Sequence, residues 1–171
     1  NLVNDAYNKD KLMGMVQSKK ENSSVYSIGC LGKISDYQKS KDGRILINLT
    51  GISRFKILKE ISSEKLYREF QVDYKDFDED VVNAYNKVNA VKLMEKAQTF
   101  FKKNGLLLNW KEFEKLDDVQ KINTLAMIAP ITNEEKQKLL ETISLENKVK
   151  TLESIISFYL YETGLNNQTI Q

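Results

Sequence analysis

Residues 42–55 have the sequence DGRILINLTGISRF, which predicts a hairpin turn and the long strand that follows it. An Asp-Gly pair between two apolar runs is a strong hairpin signal, because both turn positions tolerate a positive φ. After the turn, Ile45, Ile47 and Leu49 face one side and alternate with residues that face the other, as in a half-buried strand. The hairpin therefore places a long pair of strands in the first half of the chain.

Apolar runs on both sides of the hairpin predict further strands. Gly29 and Gly32 interrupt one of these runs, and glycines inside a strand often mark a bulge or a close approach of two backbones. Cys30 lies between them and is predicted to be a buried structural thiol. The runs cover residues 12–16, 25–37 and 67–74. Residues 1–77 are therefore predicted to form a β-rich unit.

The spacing of apolar residues changes to the helical period near residue 78. Residues 79–103 fit one kinked helix or two short helices that break near Asn89, and Gly105 suits the C-cap. Later, Thr132 and Glu135 form a capping box, and the last helix closes at Gly164 and Asn166. Strands followed by helices indicate an α+β fold, with a helical unit over residues 78–171.

Composition limits the partners and the compartment. The chain has 171 residues and a net charge of +2, and three of its 26 basic residues are arginine, so its composition predicts no nucleic-acid partner. One cysteine permits no intrachain disulfide, which fits a reducing compartment. The first residues lack the pattern of a signal peptide, and no apolar run approaches the roughly 20 residues that span a bilayer. We expect a cytoplasmic protein without a membrane partner.

The sequence lacks the residue patterns that usually carry catalysis. The chain has no histidine, which removes the common general base and most zinc and haem sites. No phosphate-binding or dinucleotide-binding glycine loop is present. We therefore predict no catalytic, cofactor-binding or metal-binding residue, although composition leaves a Ser-Lys pair open. A carboxylate cluster is predicted to be solvated at a helix N-terminus, with a hydrolase centred on Asp76 and Asp78 as the alternative. Its members are Asp73, Asp76, Asp78, Glu79 and Asp80.

Six stretches, taken together and in order, point to one family. They are LMGMVQ at 12–17, IGCLGKI at 28–34, DGRILINLTGISRF at 42–55, YRE at 67–69, NTLAMIAP at 123–130 and EKQKLLE at 135–141. They resemble the amino-terminal, substrate-binding domain of Lon proteases, and especially the stand-alone bacterial proteins that consist of this domain. The run of Gly-x-x-Gly, Asp-Gly-Arg and Gly-x-x-Arg-Phe is the most specific part of the resemblance.

The resemblance implies a small, partly closed β-barrel or sheet of the pseudouridine-synthase-and-transglycosylase-associated (PUA-like) kind, followed by a helical bundle. It also implies that the first strand of the family's sheet is missing, since this chain begins in a helix at Leu2–Tyr7. A missing strand leaves an unpaired sheet edge through which the chain could self-associate. In the family, the ATPase and the Ser-Lys peptidase lie in later domains, so the resemblance implies no enzyme activity here.

The leading functional hypothesis is a non-catalytic module that binds unfolded or exposed apolar segments of other proteins, linked to proteolysis or protein quality control. A Lon-type protease is the second partner that the resemblance implies. The alternative is an RNA-binding PUA-like domain, with Lys33, Arg44, Arg54 and Lys56 on one face. The protein-binding hypothesis expects exposed apolar contacts at Ile52, Phe55, Tyr67, Phe70 and Phe77.

Overall fold

A computed structural model describes residues 1–19, 24–82 and 88–166. The chain divides into two compact units, Asn1–Ala84 and Tyr85–Gln171. The first unit carries the strands and the second is helical, which confirms the α+β fold. The domain boundary predicted between residues 77 and 78 stays a prediction. No helix in the described part of the chain is long and apolar enough to cross a membrane.

The first unit is an antiparallel sheet with strand order β1-β2-β3-β4. Its elements are α1 (Leu2–Tyr7), β1 (Leu12–Met15), β2 (Ile28–Lys39), β3 (Ile45–Ile61), β4 (Glu69–Asp73), a short 3-10 helix (Lys75–Phe77) and α2 (Asp78–Val82). The four strands and the first helix that the sequence predicts are all present. Across the described residues the sheet is open, so β1 and β4 are its edge strands.

The turn between β2 and β3 corrects one detail of the hairpin prediction. Gly43 has a φ of +86°, but Asp42 does not adopt a positive φ. Instead, the Asp42 carboxylate accepts the Arg44 N–H at 3.2 Å, and the Gly43 N–H donates to the Ser40 carbonyl at 3.0 Å. This is the pattern of a longer hairpin loop that ends in a left-handed glycine.

The half of this hairpin nearer the turn packs against α1. Ala6, Met13 and Ile34 are buried there and form the centre of a small apolar core. The rings of Tyr7 and Tyr37 stack with their centroids 4.4 Å apart, which joins the helix to β2. This core covers one half of the β2–β3 hairpin. The other half, toward β4, packs against other residues.

Residues 88–166, the described part of the second unit, form a bundle of five helices. They are α3 (Val91–Lys103), α4 (Trp110–Glu114), α5 (Asp118–Ile128), α6 (Asn133–Glu141) and α7 (Leu145–Asn166). Residues 88–90 are not helical, so the predicted break near Asn89 is confirmed. Leu93, Ile122, Leu152 and Ile156 are fully buried at the centre of the bundle.

Helix ends in the second unit follow the sequence signals. After α3, the Leu106 N–H donates to the Phe101 carbonyl and Gly105 has a φ of +66°, which together form a Schellman motif. The capping box of Thr132 and Glu135 at the start of α6 is confirmed by both of its hydrogen bonds. Because Gly164 lies within α7, it does not end that helix.

Candidate protein-binding site on the β3–β4 hairpin

The five residues predicted to contact a partner lie in two different environments. Ile52, Tyr67 and Phe70 are half-buried. Phe55 and Phe77 are 4% and 2% exposed, so the expectation that they are exposed is wrong. Alternation along a strand predicts which residues share a face, but burial depends on what covers that face.

Phe55 is buried because two glycines leave room for its ring. A Cβ atom at Gly14 would lie 3.2 Å from Phe55 Cζ, and one at Gly29 would lie 2.6 Å from it. The ring of Tyr74 also packs edge-on against Phe55, with centroids 6.3 Å apart. The close backbone approach predicted at Gly29 is therefore present, and it seats Phe55 in the interior.

Phe77 lies under a buried ion pair that joins α2 to β3. The Arg54 guanidinium is 4.5 Å from the centre of the Phe77 ring. Arg54 Nη2 donates to Asp80 Oδ1 at 2.8 Å, and Arg54 Nε donates to Asp80 Oδ2 at 2.8 Å. The Asp80 carboxylate also accepts the backbone N–H of Arg54 at 2.9 Å. This pair was not predicted, because 26 residues separate its members in the chain.

The ion pair corrects two expectations drawn from the sequence. Asp80 was grouped with solvated carboxylates, but its side chain is only 12% exposed. Arg54 was one of four residues on the face assigned to RNA, yet its guanidinium is buried and neutralised.

Cys30, predicted to be buried, is half-buried.

Exposed large apolar side chains of the first unit occur on the β3–β4 hairpin, which we define as residues 57–72, and also at Met15, Leu46 and Tyr74. Leu58, Ile61 and Leu66 are exposed on this hairpin, and Leu66 is fully exposed at 103%. Ile57, Phe70 and Val72 are half-buried beside them. The sequence did not identify Leu66, because an isolated leucine in a polar loop such as residues 62–68 gives no periodic signal.

Two ion pairs hold the hairpin, one on each of its faces. Arg68 Nη2 donates to Glu60 Oε2 at 2.6 Å, and its guanidinium lies 5.0 Å from the centre of the Phe70 ring. Lys65 Nζ donates to Glu69 Oε1 at 2.5 Å and lies 5.3 Å from the Tyr67 ring. Because Glu69 and Phe70 are consecutive residues of a strand, the two clusters face opposite sides.

These contacts shift the pKa values of both carboxylates in the same direction. The hydrogen bond from Arg68 lowers the pKa of Glu60 below 4.5, and the hydrogen bond from Lys65 does the same to the pKa of Glu69. The partner cations respond in the opposite sense, since the same hydrogen bonds raise the pKa of Lys65 and of Arg68. All four groups are therefore charged at neutral pH.

An open concavity of about 620 Å³ lies at the end of the hairpin. Its lining includes the apolar and aromatic side chains of Ile61, Leu66 and Tyr67 and the charged side chains of Glu60, Lys65 and Arg68. Such a surface offers apolar contact beside polar groups, which suits binding more than chemistry. Among residues 1–19, 24–82 and 88–166, no group of three or more Cys, Asp or Glu side chains could hold a metal ion.

Comparison with known proteins shows the family of the chain. The model of the ATP-dependent protease La (LON) substrate-binding domain matches residues 1–157. The chain belongs to this family. Lon proteases of Bacillus thuringiensis (strain Al Hakam) and Malacoplasma penetrans (strain HF-2) are 29% and 30% identical to it, over 141 and 175 residues. The matches cover 80% and 91% of this chain but 17% and 21% of those proteins, so the chain spans about a fifth of the length of these curated relatives.

Solved structures show the same fold for the family. A Lon N-terminal domain protein from Xanthomonas campestris has a TM-score of 0.62 and 13% identity, and the match covers 90% of this chain and 80% of that one. The N-terminal domain of a Mycobacterium avium complex Lon protease has a TM-score of 0.61 and 16% identity, covering 91% and 82%. The substrate-binding domain is the one Lon domain detected in these 171 residues, without an ATPase or peptidase domain.

A Ser-Lys contact occurs in the described part of the second unit of this Lon-domain chain. Lys96 Nζ donates to Ser157 Oγ at 2.9 Å and to Glu153 Oε1 at 2.7 Å. The Ser157 hydroxyl donates its own proton to the Glu153 carbonyl at 2.7 Å. Since that proton is not directed at the amine, this geometry does not activate the serine as a nucleophile.

Proposed function

We propose that this chain is a non-catalytic module that binds unfolded or exposed apolar segments of other proteins through the β3–β4 hairpin. The observation that carries the proposal is the exposed apolar tip of this hairpin, with Leu66 fully exposed, in a chain that matches a substrate-binding domain. Isolated exposed leucines are common on protein surfaces. Here, however, Leu58 and Ile61 are exposed on the same hairpin.

The hairpin is suited to binding because it is held in place before a partner arrives. Ion pairs on both faces restrain residues 60–69, so a partner would order few side chains on contact. Apolar contact without shape-specific pockets also accepts segments of many sequences. Of the residues predicted from the sequence, Tyr67 and Phe70 remain candidate contacts on this hairpin, and Ile52 remains one beside it.

A titration of the isotope-labelled chain with a reduced, carboxymethylated model protein tests the proposal. We expect backbone amide shifts concentrated in residues 57–72. Burying a fully exposed leucine contributes about 1.5–3 kcal/mol, so Leu66→Asp should weaken binding at least tenfold. No amide shift at millimolar concentrations of the unfolded protein would contradict the proposal.

A matched control is available in the second unit. Leu107 is 102% exposed, as fully as Leu66, but it lies in the loop between α3 and α4. Leu107→Asp introduces the same charge without changing the hairpin, and it should leave the affinity within about twofold of the parent chain. Equal losses in both variants would show that added charge, and not the hairpin surface, controls binding.

We also propose that the module acts in the cytoplasm together with a Lon-type protease. Family membership supports this proposal, since the relatives are Lon proteases. Pull-downs from cytosol with and without added Lon ATPase test it. We expect the protease to be recovered with the chain. If an unfolded substrate bridges the two proteins, Leu66→Asp should reduce that recovery. Recovery of neither the protease nor client proteins would contradict the proposal.

A further inference from the structure

We propose that Lys59 makes the β3–β4 hairpin select apolar segments that carry an acidic side chain. This inference rests on the proposed function and names the class of segment that the site prefers. Lys59 is exposed among apolar residues of the hairpin, and its side chain makes no hydrogen bond or ion pair in the part of the chain that the structure describes. A glutamate or aspartate in the bound segment would supply the missing partner.

A β-bulge in β3 brings the side chains of Leu58 and Lys59 together. Ile57 pairs with Val72 of β4. Lys59, two residues further along β3, pairs with Gln71, which is only one residue from Val72. Leu58 is therefore the extra residue of a bulge, and it shares with Lys59 the position opposite Gln71. Both side chains lie on the same face of the hairpin.

The neighbours of Lys59 on this face are apolar. Leu58 is 54% exposed, and Ile61, which lies two residues after Lys59 and so on the same face, is 47% exposed. A lysine packs its methylene stem along apolar neighbours and keeps its ammonium group in water. The stem of Lys59 therefore extends the apolar surface between Leu58 and Ile61, and its ammonium group lies where a bound segment would make contact.

Opposite charges compensate the other cations near this face. Lys56 lies directly opposite Asp73 in the register of β3 and β4, and the two ion pairs of the hairpin occupy its arginine and its other lysine. Lys59 lies opposite Gln71, which carries no charge. A segment that covered Lys59 without an anion would remove water from an unpaired ammonium group, which costs free energy. A carboxylate in the segment removes that cost, whereas a lysine adds repulsion.

Glu64 restricts where the acidic residue of a segment can lie. It is exposed in the loop of the hairpin close to Leu66, and it also forms no ion pair within the described residues. Its carboxylate disfavours a second acidic group near the tip. We therefore expect the acidic residue of the segment at Lys59 on the strand, with apolar residues extending toward Leu66.

Three nine-residue peptides with acetylated and amidated ends test the proposal. They share valine, leucine and serine residues and differ only at the central position, which is glutamate, glutamine or lysine. Because both ends are capped, the central glutamate supplies the sole carboxylate. We expect the glutamate peptide to bind about threefold more tightly than the glutamine peptide, and the lysine peptide about threefold more weakly, as for an exposed ion pair. Salt at about 1 M, which screens charges beyond about 3 Å, should remove most of this difference.

Substitutions at Lys59 locate the effect. Lys59→Gln should bind the glutamate and glutamine peptides equally, and Lys59→Glu should reverse the order of the glutamate and lysine peptides. A reversed order cannot result from loss of structure, which would weaken all three peptides together. The control is Lys111→Gln, which changes the net charge equally at an exposed position of α4 in the second unit. This control should keep the preference for the glutamate peptide.

Other outcomes would contradict the proposal. If the parent chain binds all three peptides equally, the preference for an acidic side chain is wrong while the proposed function stands. If Lys111→Gln loses the preference as fully as Lys59→Gln, the net charge of the chain controls it, and if Lys59→Gln keeps it, another cation is responsible. Concentration-dependent dimerisation of the free chain that shifts the amides of residues 58–61 would assign this face to a second copy. If neither the peptides nor the unfolded model protein bind, the proposed function fails as well.

Discussion

The absence of a side chain at position 29 lets β1, β2 and β3 meet around the Phe55 ring. A Cβ atom there would lie 2.6 Å from both the Met15 carbonyl oxygen and Phe55 Cζ. Overpacking of this kind typically costs about 1–3 kcal/mol. We expect Gly29→Ala to lower the free energy of unfolding by that amount, measured by urea denaturation.

Gly51 supplies the matched control on β3. A Cβ atom at this position would lie 3.7 Å from Cys30 Sγ, an ordinary van der Waals contact. Alanine in a strand is favoured over glycine by about 0.5–1 kcal/mol, because the unfolded chain loses less conformational entropy. Gly51→Ala should therefore leave stability unchanged or slightly increased. Similar losses in both variants would show that crowding around Phe55 is not the cause.

The buried pair of Arg54 and Asp80 should be the most sensitive polar contact of the first unit. Removing one member of a buried ion pair leaves a charge without compensation and costs about 3–5 kcal/mol. We expect Asp80→Ala to lower the free energy of unfolding by this amount in urea denaturation. Replacing both residues together, as Arg54→Met with Asp80→Leu, should recover much of the loss because no isolated charge remains.

Asp78 is the control for that substitution. It lies in the same helix and is exposed. A carboxylate at an exposed helix N-terminus contributes about 0.3–1 kcal/mol, so Asp78→Ala should have a small effect. If Asp80→Ala costs no more than Asp78→Ala, the ion pair does not stabilise the packing of α2 on β3.

At the scale of the element, the β3–β4 hairpin should loosen in acid. The pKa values of Glu60 and Glu69 are lowered by their cationic partners. Because each pKa is lowered, each contact stabilises the hairpin fully at pH values above 4.5, the ordinary pKa of the group. This stabilisation is lost as the pH falls through the lowered pKa. We expect carboxyl NMR titrations of both residues to have midpoints below 4.5, and exchange of hairpin amides to accelerate below them.

The opposite faces of the hairpin make an internal control for this titration. Arg68→Gln removes the donor to Glu60 and should return the Glu60 midpoint toward 4.5. Glu69 binds Lys65 on the other face, so its midpoint should stay unchanged in the same variant. A joint rise of both midpoints would show that the whole hairpin had unfolded, and not that one contact had been lost.

The elements were predictable where local chemistry decides them. Alternation of apolar and polar residues predicted the strands. Gly105 predicted the end of α3, and the capping box of Thr132 and Glu135 predicted the start of α6, because each of these signals lies within a few residues. The burial of Phe55 depends on Gly14 and Gly29 from other strands, and the pairing of Asp80 depends on Arg54. Contacts between distant segments leave no periodic trace in one sequence, so the exposed surface of the hairpin could not be predicted.

At the scale of the whole molecule, the order of elements was enough to predict an α+β chain with a β-rich and a helical part. The boundary between the two parts, between residues 77 and 78, stays a prediction. Helical spacing begins at α2, yet that helix is tied to β3 through Asp80, and the compact unit extends to Ala84. Periodicity identifies the type of an element but does not identify the core that it joins.

Each unit has an apolar core of its own, which predicts separable unfolding. Leu152 is fully buried in the second unit and Ile34 is buried in the first, so alanine at either position should cost about 2–5 kcal/mol. The chain's single tryptophan, Trp110, lies in the second unit against Phe101 and Phe113, and its fluorescence reports on that unit. Hydrogen exchange of β2 amides reports on the first.

Leu152→Ala should therefore lower the urea midpoint of the Trp110 signal while protection of β2 amides persists. Ile34→Ala should have the reverse effect, with faster exchange in β2 and an unchanged fluorescence midpoint. The two variants control for each other, because both delete buried apolar volume. If each variant moves both signals equally, the two cores unfold as one cooperative unit and the prediction is wrong.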